Sequence, residues 1–163
     1  MRSLKFALCL LFSTGVVFAQ PIDREVNDLW ISAGIGTAVY SRSGLSYGGS
    51  LAFAYGRGVS VGLQTAYFFD LEDRVDVLEL GFLLRFYVQG LSFYSGPFIQ
   101  LSGGQALFFR RDDVTFPASW GILLGCLSLG WRFFLDEMFF IEPFIRGGYP
   151  YLFGGGLSAG IRF

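Results

Sequence analysis

The feature that most constrains this chain is an alternation of large apolar residues with very small ones. Between residues 45 and 88, large apolar side chains recur at nearly every second position, and Gly, Ala or Ser fill most places between them. A period of two puts successive side chains on opposite faces of an extended strand. In 77–88, Glu79 and Arg85 take places on the second face. The pattern predicts β-strands with one apolar face and one tiny or charged face.

The same pattern continues, less regularly, on both sides of this region. Eight strands of about 10–13 residues are predicted, long enough to cross a bilayer at a tilt. The phase is lost between Leu123 and Cys126, which predicts a β-bulge. The predicted strands are 28–40, 45–55, 59–69, 77–88, 94–104, 119–134, 140–150 and 151–163.

The apolar face decides the environment. A soluble antiparallel sheet turns its polar face to water, but here the second face is mostly Gly, Ala and Ser. Such a face suits the inside of a narrow eight-stranded barrel, and the continuous apolar face suits lipid. The sequence therefore predicts an all-β fold, an eight-stranded antiparallel up-and-down transmembrane β-barrel. The alternative is a secreted all-β protein with a large apolar core.

Residues 1–19 have the form of a secretory signal peptide. Arg2 and Lys5 precede a short apolar stretch, and Val17 and Ala19 fit a cleavage site before Gln20. The alternative, a membrane anchor, needs an apolar run of ~20 residues, and this run is shorter. We expect a barrel domain over 20–163. A helix over 114–131 is disfavoured as a span because Pro117 interrupts it.

The turns and aromatic residues predict an orientation. Tight turns at 56–58, 89–92 and 135–138 are assigned to the periplasm, and the connections at 41–44, 70–76, 110–117 and 149–151 to the exterior. Aromatic residues near strand ends predict two girdles. The periplasmic girdle comprises Tyr55, Phe86, Trp131, Phe133, Phe139 and Phe163, and the exterior girdle comprises Tyr47, Tyr67, Phe69, Tyr149 and Tyr151.

In these features the chain resembles the small eight-stranded outer-membrane β-barrels of diderm bacteria, the class that holds the membrane domain of outer membrane protein A. The resemblance covers 28–163 as a pattern of strands and turns. It implies that Ile161 and Phe163, at the end of an alternating strand, act as a signal for the barrel-assembly machinery. The family signal usually has Gly where this chain has Ser158, and a polar residue where it has Gly156. The resemblance also implies a location in the bacterial outer membrane.

The inward register predicts a polar network inside the barrel. Buried charges are costly unless they pair, so we expect a cluster of Glu142 with Arg132 and Arg85, and a looser contact between Glu79 and Arg146. Glu142 and Arg132 are expected as diagonal neighbours across the 135–138 turn. The network is interpreted as a plug that rigidifies the barrel. The alternative is a gated or narrow conducting path.

Composition excludes several functions. The residues after position 20 contain no Lys and are net acidic, which disfavours a nucleic-acid partner. No His is present, so imidazole chemistry is absent. The acids of the 70–76 loop match no defined calcium loop. These acids and the Asp112-Asp113 pair are interpreted as solvated loop residues, rather than as a catalytic carboxylate pair. We therefore predict no enzyme, no metal and no cofactor.

The most polar exterior patch is formed by Arg110, Arg111, Asp112 and Asp113. The two arginines are placed to bind phosphates of surface glycolipid near the head-group level. We expect a monomer in contact with membrane lipid, with a structural or surface-interaction role such as membrane integrity or adhesion. The alternatives are passive transport of small or apolar solutes and a soluble secreted ligand-binding barrel.

Overall fold

The computed structural model of the protein describes residues 29–40, 44–56, 58–70, 75–88, 96–110 and 120–163. The predicted signal peptide lies outside these residues. The strands are β1 (Leu29–Tyr40), β2 (Gly44–Gly56), β3 (Val59–Asp70), β4 (Val75–Tyr87), β5 (Gly96–Arg110), β6 (Trp120–Phe134), β7 (Phe139–Tyr149) and β8 (Tyr151–Arg162). Within the described part of the chain, no helix is long and apolar enough to cross a bilayer.

The eight strands form one closed antiparallel barrel in chain order. Each strand pairs with its neighbour along the chain, and β1 closes the barrel by pairing with β8 from Trp30–Arg162 to Tyr40–Tyr151. We call the end at which β1 begins and β8 ends the terminal end, and the opposite end the distal end. The predicted fold class is confirmed.

Alternate side chains face the lumen and the outer surface, as the period of two predicts. Along β3, Val61 and Leu63 are exposed on the outside, whereas Ser60 and Ala66 are buried inside. The outer surface is apolar over its whole height, from Tyr55 near the terminal end to Tyr47 near the distal end. This arrangement is the reverse of a soluble barrel, which buries its large apolar side chains.

Glycine lets bulky side chains enter this narrow lumen. A Cβ on Gly130 would lie 2.4 Å from Phe98 Cζ, and a Cβ on Gly160 would lie 2.3 Å from Phe140 Cζ. Each ring therefore occupies the space that a side chain on the facing strand would need. Large inward rings thus fill the lumen at positions where the paired strand carries glycine.

Apolar clusters occupy both ends of the lumen. At the terminal end, Trp30 packs edge-on against Phe140 with ring centroids 6.2 Å apart. At the distal end, Tyr40 packs edge-on against Phe68, Phe108 and Tyr151. Polar and charged side chains lie against these clusters and between them.

Three details differ from the sequence-based predictions. β5 continues to Arg110, beyond the predicted end at residue 104. The predicted bulge at 123–126 is wrong, because Leu123 stays outside and Leu124 inside in regular alternation. The phase looked lost because Leu124 joins the apolar distal cluster, so both faces are apolar there. The irregularity lies in β8, where Val39 pairs with Phe153 but Tyr40 pairs with Tyr151.

Candidate functional site: a filled lumen

The five charged residues predicted to face the lumen do so, and they come from three strands. Glu79 and Arg85 lie on β4, Arg132 on β6, and Glu142 and Arg146 on β7. The structure gathers them into two groups at different heights. The terminal cluster comprises Arg85, Arg132 and Glu142, and the distal cluster comprises Tyr40, Glu79 and Arg146.

In the terminal cluster two arginines share one carboxylate oxygen. Arg85 Nη1 lies 2.7 Å and Arg132 Nε 2.5 Å from Glu142 Oε1. Ser158 donates to the second carboxylate oxygen, Oε2, over 3.3 Å. All three charged side chains are buried, so the ion pairs form where water cannot screen them. Arg132 and Glu142 lie opposite each other in the β6–β7 register, rather than as the predicted diagonal neighbours.

Aromatic rings surround the two guanidinium groups. Arg85 Cζ lies 4.1 Å from the centroid of Phe98 and 4.3 Å from that of Trp30. Arg132 Cζ lies 3.8 Å from the centroid of Phe140. Cation–π attraction in a desolvated site contributes about 2 kcal/mol or more for such a contact. The rings thus hold charges that water would otherwise solvate.

In the distal cluster, Arg146 and Tyr40 both donate hydrogen bonds to the carboxylate of Glu79. Arg146 Nη1 donates to Glu79 Oε2 over 2.8 Å, and its Nη2 donates to Oε1 over 3.2 Å. The Tyr40 hydroxyl donates to Glu79 Oε1 over 2.5 Å. The bidentate pairing fixes both the position and the plane of the guanidinium. Arg146 also lies over the Tyr151 ring, 4.2 Å from its centroid.

An amide layer lies between the two clusters and is bonded to the terminal one. Gln100 Oε1 accepts from Arg85 Nε over 2.9 Å and from Arg85 Nη2 over 2.7 Å. Gln100 Nε2 in turn donates to Gln64 Oε1 over 2.9 Å. Ser102 hydrogen-bonds with both amide side chains. The polar network therefore joins β3, β4, β5, β6, β7 and β8.

Sequence reasoning named the charges but missed their neutral partners. Tyr40, Gln64 and Gln100 all occupy inward positions of their strands, so the alternation itself carries the signal. Tyr87, which accepts from Arg85 Nη1 over 3.2 Å, follows the same phase. Ranking the inward residues by charge alone missed these residues, because uncharged amides and hydroxyls supply the additional hydrogen bonds that a buried ion pair needs.

The predicted aromatic girdles lie on the outer surface with one exception. The six residues assigned to the periplasmic girdle are all exposed at the terminal end, and Tyr47, Tyr67, Phe69 and Tyr149 are exposed at the distal end. Tyr151 is fully buried in the lumen, and its assignment to the outer girdle was wrong. The register shift beside Tyr40 turns Tyr151 inward and leaves Leu152 and Phe153 both outside.

The remaining predicted site residues lie at strand ends. Arg110 is the last residue of β5, and Arg111, Asp112 and Asp113 lie outside the described residues. Ile161 pairs with Ile31 and with Phe139, and the Phe163 N–H donates to the Leu29 carbonyl over 2.8 Å. The assembly-signal role of Ile161 and Phe163 stays a prediction.

The outer wall carries one cleft that the sequence analysis did not anticipate. It has a volume of about 1110 Å³ and spans β8, β1, β2 and β3. Glycines form its floor, and larger residues such as Tyr47, Leu51 and Tyr67 form its sides. The cleft is open and almost wholly apolar, so it suits hydrocarbon.

The described residues offer no metal site. Among them, no group of three or more His, Cys, Asp or Glu lies close enough to hold a metal ion.

In the β6–β7 turn, backbone N–H groups of Phe139 and Met138 donate to Asp136 Oδ1, each over 2.7 Å. These bonds lower the pKa of the Asp136 carboxyl below its usual value. The acid thus fastens the turn at the terminal end.

Comparisons with known proteins place the fold. No family model matches the chain, and no curated protein sequence matches it significantly. Among solved structures, it is similar to OprG from Pseudomonas aeruginosa (TM-score 0.63, 14% identity, covering 86% of this chain and 97% of that one). It is also similar to the N-terminal β-barrel domain of Pseudomonas aeruginosa OprF (TM-score 0.59, 16% identity, 83% and 97%).

A third similar structure is Ail, the attachment invasion locus protein of Yersinia pestis, solved with the heparin analogue sucrose octasulfate. Its TM-score is 0.51 at 16% identity, with 85% of this chain and 100% of that one covered. The expected resemblance to small eight-stranded outer-membrane barrels is thereby confirmed at the level of the fold.

Proposed function

We propose that this protein is a bacterial outer-membrane β-barrel with a plugged lumen, serving membrane integrity or surface contacts rather than solute flow. The observation that carries this is the distribution of side chains. The outer surface is apolar between two girdles of aromatic residues, as a bilayer requires. The lumen holds the two ion-paired clusters, the amide layer and an apolar cluster at either end.

The filled lumen opposes conduction on energetic grounds. An ion crossing it would have to separate Arg85 from Glu142, or Arg146 from Glu79, in a buried layer. Breaking a buried ion pair costs about 3–5 kcal/mol. It would also have to displace the Phe98 and Phe140 rings, which rest directly on glycines of the facing strands.

Single-channel recording in planar bilayers tests the plug. The purified protein should give no steady conductance, and Arg85→Ala should raise it by removing the residue that links Glu142 to Gln100. The matched control is Leu84→Ala, which removes a neighbouring side chain from the outer face of the same strand. A steady open channel in the unmodified protein would refute the plug.

For the surface role, we propose that Arg110 and Arg111 bind the phosphates of surface glycolipid. Ail, a barrel of the same fold, was solved with a sulfated sugar, which is one polyanion that such a barrel accepts. Replacing both arginines by Ala should weaken association with vesicles that contain phosphorylated glycolipid. Asp112→Asn with Asp113→Asn is the control, and equal loss in both variants would refute the arginine assignment.

Passive transport along the outer wall is the second candidate, and the cleft across β8, β1, β2 and β3 favours it. Filling the cleft distinguishes the two roles. A Cβ on Gly49 meets nothing closer than the Gly34 carbonyl oxygen at 3.4 Å, so Gly49→Leu fits the backbone. Uptake of an apolar dye should fall in this variant if the cleft carries solute, and stay unchanged if the role is structural.

A further inference from the structure

The terminal cluster has more positive than negative charge. Arg85 and Arg132 share the single carboxylate of Glu142, and all three are at least nine-tenths buried. Arg162, which pairs with Trp30 in the sheet, lies beside the cluster, its guanidinium 5.0 Å from the Phe134 ring. The other groups around the two guanidiniums are uncharged rings and amides. Within the terminal cluster itself, two arginines and one carboxylate leave an excess of one positive charge.

Two buried donors in this layer have no acceptor. Arg132 Nη2 and Trp30 Nε1 make no hydrogen bond, although Arg132 is 5% and Trp30 is 1% exposed. Arg132 Cζ lies 4.8 Å from the Trp30 ring centroid, so the two donors belong to groups in contact. A buried donor without an acceptor costs about 1–3 kcal/mol, and more when it is charged.

We propose that the terminal end of the lumen binds a small inorganic anion, chloride in ordinary saline, through Arg132 Nη2 and Trp30 Nε1. One monatomic anion would accept hydrogen bonds from the two unpaired N–H groups and would also neutralise the excess positive charge. A water molecule accepts the same hydrogen bonds but leaves the charge uncompensated. The excess charge therefore selects an anion over water.

The site lies near the terminal end of the barrel. Trp30 is the second residue of β1, and a strand rises about 3.3 Å per residue, so the indole lies within a few ångströms of the terminal mouth. The distal cluster and the amide layer lie on the other side. The proposal does not depend on the protein's role in the membrane.

Bromide replaces chloride as the probe, because its anomalous scattering identifies it in a crystal. Crystals of the full barrel grown in sodium bromide should show an anomalous peak between Arg132 Nη2 and Trp30 Nε1. In solution, chloride should stabilise the folded barrel against urea relative to gluconate at equal ionic strength. At a chloride concentration nine times the dissociation constant, the unfolding equilibrium constant falls about tenfold.

Trp30→Phe removes one donor and keeps an aromatic ring under the guanidiniums, and it should reduce the stabilisation by chloride. Trp131→Phe is the matched control, because Trp131 faces outward at the same end and the chloride response should be unchanged. If the crystal shows no bromide at the site and the stability is the same in chloride and gluconate, the proposal is overturned and the site holds only water. A peak in the crystal without chloride stabilisation below about 0.2 M would also overturn it, as binding at crystal concentration only.

Discussion

Arg132 and Glu142 lie opposite each other on β6 and β7, and Arg132 Nε donates to Glu142 Oε1 over 2.5 Å. Backbone pairing on either side joins Gly130 with Phe144 and Phe133 with Ile141, and is interrupted between them. Pro143, beside Glu142, has no N–H to give to the ladder. A side-chain ion pair thus joins the two strands where their backbones do not.

Replacing Glu142 by Gln should destabilise the barrel more than replacing any exposed acid. The change leaves Arg85 and Arg132 buried without a carboxylate, which costs about 3–5 kcal/mol. The measurement is the urea midpoint in detergent or lipid. Glu137→Gln in the exposed β6–β7 turn is the control and should stay within about 0.5 kcal/mol. Equal midpoints for the two variants would contradict the role of Glu142.

A methyl group added to a lumen-facing glycine should destabilise the barrel far more than one added to a glycine on the outer face. In Gly62→Ala the new Cβ would lie 2.0 Å from the Phe53 carbonyl oxygen and 2.5 Å from Ala54 Cβ. Such overpacking costs about 1–3 kcal/mol. Gly125→Ala meets nothing within 4 Å and should change the stability by less than about 0.5 kcal/mol. Urea unfolding of both variants checks this, and a reversed order would refute the lumen packing.

A charge on the outer surface tests the lipid contact. Phe82 is 70% exposed and lies in the middle of β4. Phe82→Arg should lower the stability in a bilayer by about 2–4 kcal/mol, whereas Phe82→Leu should change it little. Folding in lipid vesicles of defined composition gives both values. If the Arg variant is as stable as the Leu variant, the surface at Phe82 faces water.

Asp136 gives the β6–β7 turn a dependence on pH. Because the bonds from Met138 and Phe139 lower its folded pKa below 3.8, its contribution to stability is fully present above pH 3.8 and is lost as the pH falls through the lower folded value. Asp136→Asn should therefore be less stable than the unmodified protein at neutral pH, with the difference shrinking below pH 3.8. A difference that stays constant to the lowest pH would contradict this.

The alternation of residue size was sufficient to predict the barrel, because inward and outward faces differ so strongly in β2, β3 and β4. It failed where both faces are apolar, as at Leu124, whose inward side chain imitates a change of phase. It failed again at Tyr151, because a one-residue register shift between β1 and β8 leaves no mark in composition.

The side-chain contacts within the lumen could be predicted only in part from the sequence. Charge balance and strand direction were enough to group Glu142 with the two arginines and Glu79 with Arg146. The bond of Tyr40 to Glu79 could not be predicted in this way, because it joins β1 and β4, which are not neighbouring strands. Gln100 and Arg85 lie opposite each other on β5 and β4, so their bond follows from a strand register that the sequence pattern did not determine.

The most direct test of a closed membrane barrel is the mobility of the membrane-extracted protein on a detergent gel, unheated and boiled, with the cell fractions run alongside. A closed barrel offers no strand edge to the detergent, so the unheated protein should stay folded and migrate differently from the boiled one. We expect this shift, with the protein in the outer-membrane fraction. Identical mobilities and a freely soluble protein would contradict the account.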